Sequence, residues 1–370
     1  MNDLAQDPHE LMHSIIQRIA TGPEFSKNIS RQEAERGTGS ILDGVADPVQ
    51  AAVFLIALRM KRETLDEFLG VHDAILARTQ RVTAAVDELV DIADPYDGYA
   101  RCLPAAPLLP PLLAELGVPA VSHGVEAVGP KFGLTARHVL RAAGVNVDLA
   151  PQQAAARLSD PALGWSYVDQ AQFCKPLHEL ISLRQRIIKR QVVTTIETEA
   201  KPIVGRKRTH FVTGYVHKPY PPIYAALARN AGFDSALIIR GVEGGITPSL
   251  RQPGRYTAYH DQGQESEFEV DPAALGITQS IRAVALPDGL AQTDSQGDEV
   301  AMALDIKATA QAAAQAGLSA LSGTRGATYD SLALVAAIVL HHLGKARSLP
   351  EGADMARAAL DSGKAVLRVK

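Results

Sequence analysis

The chain has 370 residues, of which 46% are hydrophobic and 21% are charged, and its formal net charge is -4. This composition is that of a globular protein with one large or two moderate domains, and it excludes an intrinsically disordered chain. The acidic balance argues against a module whose whole surface is basic and dedicated to nucleic acid.

The first eighty residues predict helices joined by short loops. Ser30 with Glu33, and Thr64 with Glu67, have the spacing of capping boxes, in which side chains satisfy the free amides of a helix start. Between them, apolar residues follow the helical period at Ala51, Phe54, Leu55 and Leu58. We therefore expect a small helical domain over residues 1–80, with a contribution from about 168–190.

From about residue 88, short β-branched runs alternate with amphipathic helices, which is typical of a parallel sheet covered by helices. The candidate strands are residues 89–92, 118–121, 191–196, 210–213, 235–239 and 281–286. Two further helices are predicted at about 305–316 and 329–343. We expect a larger α/β domain over residues 85–370, with a mostly parallel central sheet and the helical insertion within it.

Two features concern the compartment. Cys102 and Cys174 lie outside any CxxC or Cys/His cluster, which argues against a zinc site or a disulfide framework. The first ten residues contain no apolar core of a signal peptide, and no apolar stretch is long enough to span a bilayer. We expect a cytoplasmic protein with reduced thiols and no membrane contact.

Several segments, in colinear order, resemble the anthranilate phosphoribosyltransferase family of glycosyl transferase family 3: ISRQEAE at 29–35, QAAVFLIALRMK at 50–61, GVNVDL at 144–149 and DSGKA at 361–365. The resemblance implies the nucleoside phosphorylase-like fold, with a helical domain and a larger α/β domain. It also implies a homodimer formed through the N-terminal helices.

The phosphate-binding loops implied by this resemblance are altered. Residues 94–101 correspond to the family's Gly-Thr-Gly-Gly-Asp loop and keep one glycine, Gly98. Residues 122–126 correspond to its Lys-His-Gly-Asn-Arg motif. They keep His123 and Gly124, but Glu126 stands where a cation is expected, which would repel a pyrophosphate.

A third loop, at 128–135, replaces a serine-rich sequence and contains Lys131. We expect Gly98, His123, Gly124 and Lys131 to form the remnant of a phosphate site, and a purely structural role for His123 stays open. Of the family's acidic magnesium-binding pair, Glu243 alone remains, as a weak remnant. Residues 241–245 around it either cradle an anion or form a tight turn.

One segment of the chain is strongly basic. Between residues 184 and 218, nine basic residues stand against two acidic ones, a local charge of about +7. The basic residues are Arg184, Arg186, Lys189, Arg190, Lys201, Arg206, Lys207, Arg208 and Lys218. By resemblance, Arg184 or Arg186 also corresponds to the arginine that contacts the anthranilate carboxylate in the family.

We expect these residues to face the cleft and to bind the phosphate backbone of single- or double-stranded nucleic acid without reading sequence. The alternatives are helix-end cations for the first cluster and a solvated loop for residues 206–208. With the altered loops, this pattern is closest to the YbiB-type, nucleic-acid-binding subgroup. We predict a non-catalytic protein without a cofactor. The alternative is a phosphoribosyl (pentosyl) transferase with an altered acceptor, using magnesium and phosphoribosyl pyrophosphate.

Overall fold

The computed structural model describes residues 7–22, 24–287, 289 and 304–369. The chain begins with four helices, α1 (Pro8–Ile19), α2 (Arg31–Leu42), α3 (Pro48–Lys61) and α4 (Leu65–Leu76). The two predicted capping boxes are confirmed, because the Ser30 and Thr64 side chains accept from the amides of Glu33 and Glu67, whose carboxylates bind back. The predicted helical N-terminal region is therefore present.

Four short helices from the middle of the chain pack on this bundle: α8 (Gln170–Phe173), α9 (Lys175–Glu179), α10 (Ile181–Ile187) and α11 (Val193–Ile196). The strand predicted at 191–196 is wrong, since this stretch contains α11. Its Val193 and Ile196 side chains are fully buried in the helical core. That packing outweighs the strand preference of β-branched residues, which depends on context.

Within the residues that the structure describes, the central sheet has seven strands in the order β4-β3-β2-β6-β7-β8-β9. The five parallel strands are β2 (Glu88–Ala93), β3 (Ala120–Gly124), β4 (Trp165–Asp169), β6 (Arg208–Tyr215) and β7 (Ser235–Arg240). Two antiparallel strands, β8 (Gly254–His260) and β9 (Ser266–Val270), extend one edge. A separate parallel pair joins β1 (Val82–Thr83) to β5 (Ile203–Val204). The predicted fold class, a small helical domain with a mostly parallel α/β domain, is confirmed.

Helices cover both faces of the sheet. They are α5 (Leu109–Glu115), α6 (Ala136–Ala142), α7 (Pro151–Leu158), α12 (Pro221–Asn230), α13 (Ile306–Leu321), α14 (Ala327–His342) and α15 (Leu349–Asp361). Both predicted C-terminal helices are confirmed, whereas residues 281–286 form no strand. That segment is only partly buried, and two backbone hydrogen bonds join it to the fold, from the Leu103 amide to the Val284 carbonyl and from the Leu250 amide to the Arg282 carbonyl. Among the described helices, none is both long and apolar enough to cross a membrane.

A polar joint fixes the helical bundle to the sheet. His72 of α4 is fully buried, and its Nε2 lies 3.1 Å from the Glu199 carbonyl. Its Nδ1 lies 3.2 Å from the Asn230 amide of α12, which also donates to Asp73 at 2.8 Å. Burial lowers the pKa of His72 to about 4, so the ring stays neutral and bridges the two domains as one donor and one acceptor.

The neutral burial of His72 predicts an acid-sensitive joint. An unfolded histidine titrates near pH 6.5, so between pH 6.5 and 4 the unfolded chain binds a proton that the folded chain does not. The contribution of His72 to the free energy of unfolding therefore decreases as the pH is lowered through this range. We expect the destabilisation caused by His72→Gln, measured by urea unfolding, to be about 1 kcal/mol smaller at pH 5.5 than at pH 7.5.

Burial raises the pKa of Asp94 to about 6, so this carboxyl makes the folded protein more stable as the pH is lowered, opposite to the effect of His72. The effect of His72 is therefore measured as the difference in stability between a variant and the wild type at each pH. The exposed His9→Gln is the matched control and should show no difference between the two pH values. Equal destabilisation by His72→Gln at both pH values would contradict the neutral joint.

Candidate functional site

A cleft lies where the carboxyl ends of β2 and β6 meet the helical domain. Ligands bind at this edge of open parallel sheets because the loops leaving the strands diverge there. Three cations and four threonine hydroxyls line the cleft: Arg59, Lys131, Arg190, Thr194, Thr195, Thr198 and Thr213. It encloses about 130 Å³, which is below the several hundred Å³ usual for small-molecule sites. A ligand the size of a phosphorylated sugar therefore needs the walls to move.

The loop after β2 is closed by its own backbone. Gly98 has a φ of 77°, and a Cβ there would lie 2.6 Å from the Gly133 carbonyl carbon. Beside it, Tyr99 and Leu134 exchange two backbone hydrogen bonds of 2.9 and 2.7 Å. Gly98 therefore allows two loops of the protein to pack closely. The sequence instead predicts that this glycine lets the backbone approach an anion.

A side-chain carboxylate occupies the amides of this loop. Glu243 accepts hydrogen bonds of 2.9 Å from the Ala100 and Arg101 amides, and the Cys102 thiol donates to it at 3.2 Å. Its backbone has a φ of 54°, a left-handed conformation that is uncommon outside glycine. Two adjacent amides aimed at one carboxylate are the arrangement that binds an external anion elsewhere. Here the protein supplies the anion itself.

His123 is structural. The ring is buried between Tyr96 and Asp91, with the Tyr96 hydroxyl 2.5 Å from Nδ1 and the Asp91 carboxylate 2.7 Å from Nε2. Of the two roles left open by the sequence, the structure supports the one without a ligand. Gly124 ends β3 next to it, and a Cβ there would meet the Tyr167 hydroxyl at 3.3 Å.

The repulsive charge expected at Glu126 is neutralised internally. Its carboxylate binds Arg141 at 2.7 Å and Arg137 at 2.8 Å, and His138 lies 3.1 Å away. The hydrogen bonds from Arg141 outweigh burial and lower the pKa of Glu126 to about 2. The carboxylate therefore stays ionised and fixes the start of α6, which differs from the expectation that it would act on a ligand.

Lys131 and Arg190 meet in the cleft, as the sequence predicted for each separately. Both bind Asp97, each at 3.0 Å, and Lys131 also donates to the Glu243 carbonyl at 3.3 Å. Two cations therefore share one carboxylate at the wall of the cleft. Positive charge remains there for an anionic ligand.

Two of the predicted nucleic-acid contacts are buried instead. Arg184 forms two 2.7 Å hydrogen bonds with Glu197, and both side chains are 1% exposed. Lys201 donates to the Gly232 carbonyl and lies 4.7 Å over the Phe233 ring. Burial lowers the pKa of Lys201 to about 8. Neither side chain can reach a nucleic acid, because internal partners hold both inside the fold.

The loop at residues 206–208 lies far from the cleft, so the prediction that it faces the cleft is wrong. Arg208 begins β6 and Tyr215 ends it, which places the two roughly 23 Å apart at the rise of an extended strand. Lys207 binds Asp87 at 2.7 Å and Arg208 binds Asp261 at 3.1 Å. All nine predicted basic residues except the buried Arg184 and Lys201 are exposed: Arg186, Lys189, Arg190, Arg206, Lys207, Arg208 and Lys218.

The structure adds residues that sequence reasoning missed. Arg59 of α3 reaches the cleft and donates to the Tyr220 hydroxyl at 2.6 Å. Thr194, Thr195 and Thr198 face the same space from α11 and the turn after it. The predicted strand at 191–196 gave these threonines no common face. A helix over the same residues would have placed their hydroxyls on one side, and the spacing of the threonines indicates this.

The donors present do not fit magnesium. Both Glu243 oxygens are used by amides, and both Asp97 oxygens are used by cations. Magnesium held on substrate phosphates needs one or two protein carboxylates that are free to coordinate. Within the described ranges, no group of three or more His, Cys, Asp or Glu side chains could hold a metal ion.

Family models and similar proteins point to one glycosyl transferase family. Residues 13–79 match the helical bundle domain of a glycosyl transferase family, and residues 106–366 match its a/b domain. The chain is 28% identical to an anthranilate phosphoribosyltransferase of Bradyrhizobium sp. BTAi1, over 100% of this chain and 98% of that one. It is 30% identical to an uncharacterized protein of Aquifex aeolicus, over 72% of this chain and 79% of that one.

Solved structures share the fold at low identity. Anthranilate phosphoribosyltransferase from Saccharomyces cerevisiae, in complex with PRPP and Mg, superposes with a TM-score of 0.73 at 15% identity. The enzyme from Thermus thermophilus gives 0.71 at 19% identity. The superpositions cover 97% of this chain in both cases, and 96% and 97% of the respective neighbours.

The buried pair of Arg184 and Glu197 gives a direct test of the structural role of this arginine. Arg184→Met strands a buried carboxylate, so we expect a loss of roughly 3–5 kcal/mol in the free energy of unfolding, measured by chemical denaturation. The double variant Arg184→Met/Glu197→Leu removes both charges and should recover a large part of that loss. A single variant as stable as the wild type would show that Arg184 is solvated and available to ligands.

Proposed function

Because the chain belongs to the glycosyl transferase family whose helical bundle and a/b domains it carries, we propose that its cleft binds a phosphorylated pentose and transfers the pentosyl group to an acceptor other than anthranilate. Full-length similarity to proteins named anthranilate phosphoribosyltransferase supports the class of reaction. The altered side chains support the change of acceptor. Membership of the YbiB-type subgroup stays a prediction.

The lining of the cleft carries this proposal. Lys131, Arg190 and Arg59 line the same cleft as the four threonine hydroxyls. Arginine and lysine bind phosphate oxygens, and threonine hydroxyls can donate to and accept from the hydroxyls of a sugar. Lys131 and Arg190 share the single carboxylate of Asp97, and Arg59 lies 3.7 Å from Glu63, so the excess positive charge facing the ligand comes from Lys131 and Arg190.

The acceptor side argues against anthranilate. By resemblance, an arginine at 184 or 186 binds the acceptor carboxylate. Arg184 is held by Glu197 inside the core, and Arg186 is exposed on the surface of α10. A carboxylate placed in the cleft would lack this partner, which favours an acceptor of different charge.

Calorimetry with phosphoribosyl pyrophosphate tests the proposal. We expect binding with and without Mg²⁺, weakened roughly 10- to 100-fold by Lys131→Gln because one charge-assisted contact to phosphate is lost. Lys207→Gln, with the same charge change at the other end of the sheet, is the control and should bind normally. Anthranilate should cause no release of pyrophosphate. Absence of heat with the wild-type protein, or equal weakening by both variants, would refute the proposal.

A second candidate function is nucleic-acid binding, and one observation favours it. Arg186, Lys189 and Lys218 are exposed, and the first two lie four residues and one residue before Arg190, which lines the cleft. Cations at such a mouth could hold a phosphate backbone with a strong dependence on salt. This reading keeps part of the predicted basic segment and omits Arg184 and Lys201.

Fluorescence anisotropy with a labelled oligonucleotide tests this candidate. Replacing Arg186, Lys189 and Lys218 by Gln should make the plot of log association constant against log salt concentration less steep, by about 2 in slope for a single strand. Replacing Arg206, Lys207 and Arg208 is the matched control, and there we expect little change because Lys207 and Arg208 already have acidic partners. Greater loss in the control set, or no binding at low salt, would exclude this face.

We also propose a homodimer through the N-terminal helices. Several large apolar side chains of that region are exposed: Phe25, Val45, Val49, Met60 and Leu65. Pairing of two copies through this region would bury such side chains, and sedimentation equilibrium should then give twice the mass of the chain.

A further inference from the structure

A second concavity lies beyond Glu243, on the side away from the cleft. It is formed at the carboxyl end of β7, the start of β8 and the segment around residues 282–285, and it encloses about 670 Å³. That volume is within the range of ligand-binding sites. Glu243 and Val216 line both spaces, so they form the partition between them. We refer to this second space as the arginine groove.

Positive charge dominates the arginine groove. Its lining side chains carry four cations, Arg101, Arg240, Arg255 and Arg282, against the single carboxylate of Glu243. The Glu243 carboxylate faces the Ala100 and Arg101 amides, which already engage both of its oxygens. Arg255 pairs with Glu267 and Glu269, each at 3.0 Å, on the exposed face of β8 and β9.

The other three arginines are uncompensated. Within the described ranges, Arg101, Arg240 and Arg282 have no acidic partner, and all three are exposed to solvent. Other arginines of this protein are paired with carboxylates, as Arg31 is with Asp73 and Arg137 with Glu126. In the part of the chain that the structure describes, three exposed guanidinium groups without an acidic partner therefore line one concavity. An anion bound in that concavity would be attracted by all three.

We propose that the arginine groove binds a ligand carrying two or more linked phosphate groups, through Arg101, Arg240 and Arg282. Guanidinium groups bind phosphate with paired, charge-assisted hydrogen bonds, which a compact ammonium cannot do. The described lining contains no aromatic side chain, so the groove offers no stacking platform for bases and recognises phosphate alone. The site is separate from the cleft and does not depend on the pentosyl transfer proposed above.

Calorimetry of the full chain with inorganic tripolyphosphate tests the groove. The triple variant Arg101→Gln/Arg240→Gln/Arg282→Gln should bind at least about tenfold more weakly than the wild type, because three charge-assisted contacts are lost. The control is Arg206→Gln/Arg208→Gln/Arg347→Gln, which has the same change of net charge on other surfaces and should bind normally. Circular dichroism and thermal melting check that both variants are folded.

Three results would overturn the proposal: no binding by the wild-type protein, equal weakening in both triple variants, or loss of binding in Lys131→Gln with none in the groove variant. The groove variant should keep the Lys131-dependent part of phosphoribosyl pyrophosphate binding at the cleft, so failure of one proposal is distinguishable from failure of the other. An oligonucleotide arm identifies the source of the phosphates. If the oligonucleotide binds the groove more tightly than tripolyphosphate does, the natural ligand is a nucleic-acid strand. If it binds more weakly, the ligand is a small polyphosphate. Either result supports the site.

Discussion

The carboxylate of Glu243 is the contact on which the functional edge of this protein depends. It satisfies the amides of Ala100 and Arg101 in the loop after the first strand of the main sheet, where an anion from outside would otherwise bind. The same residue separates the cleft from the arginine groove. One internal anion therefore closes the loop, removes a possible metal ligand and divides the edge into two spaces with different charge.

Burial decides which charged side chains are available to a ligand. Arg184 and Glu197 neutralise each other in the core of the helical domain, and Lys201 is held by the Gly232 carbonyl. A buried ion left without its partner is costly, so such pairs are fixed and cannot also serve a mobile ligand. The basic segment is thus divided by the fold. Some of its residues are held by internal partners inside the fold, one lines the cleft and others remain in solvent.

Family membership and site chemistry carry different information here. The fold superposes on solved relatives at 15% and 19% identity, because layered packing tolerates exchange of core residues if pattern and volume are kept. A binding site has no such tolerance, since each polar atom faces one partner. A shared fold therefore supports the class of reaction, and the residues of the cleft must decide the ligand.

Local patterns in the sequence determined much of the fold. The capping boxes at Ser30 and Thr64 and the strands within 89–92, 210–213 and 235–239 could be read directly, because they depend on neighbouring residues. Strands β4, β8 and β9 could not be assigned, and residues 191–196 were misread, because burial against distant elements decided their conformation.

Among the site residues, Lys131 and Arg190 could be named from the sequence, but their meeting on Asp97 could not. The loop at 206–208 and residues 215–217 are close along the chain and lie at opposite ends of one strand. The sequence alone determined which residues carry charge. Only the tertiary structure decided which of those charges face a ligand, because the direction of each strand and the burial of each ion depend on the whole fold.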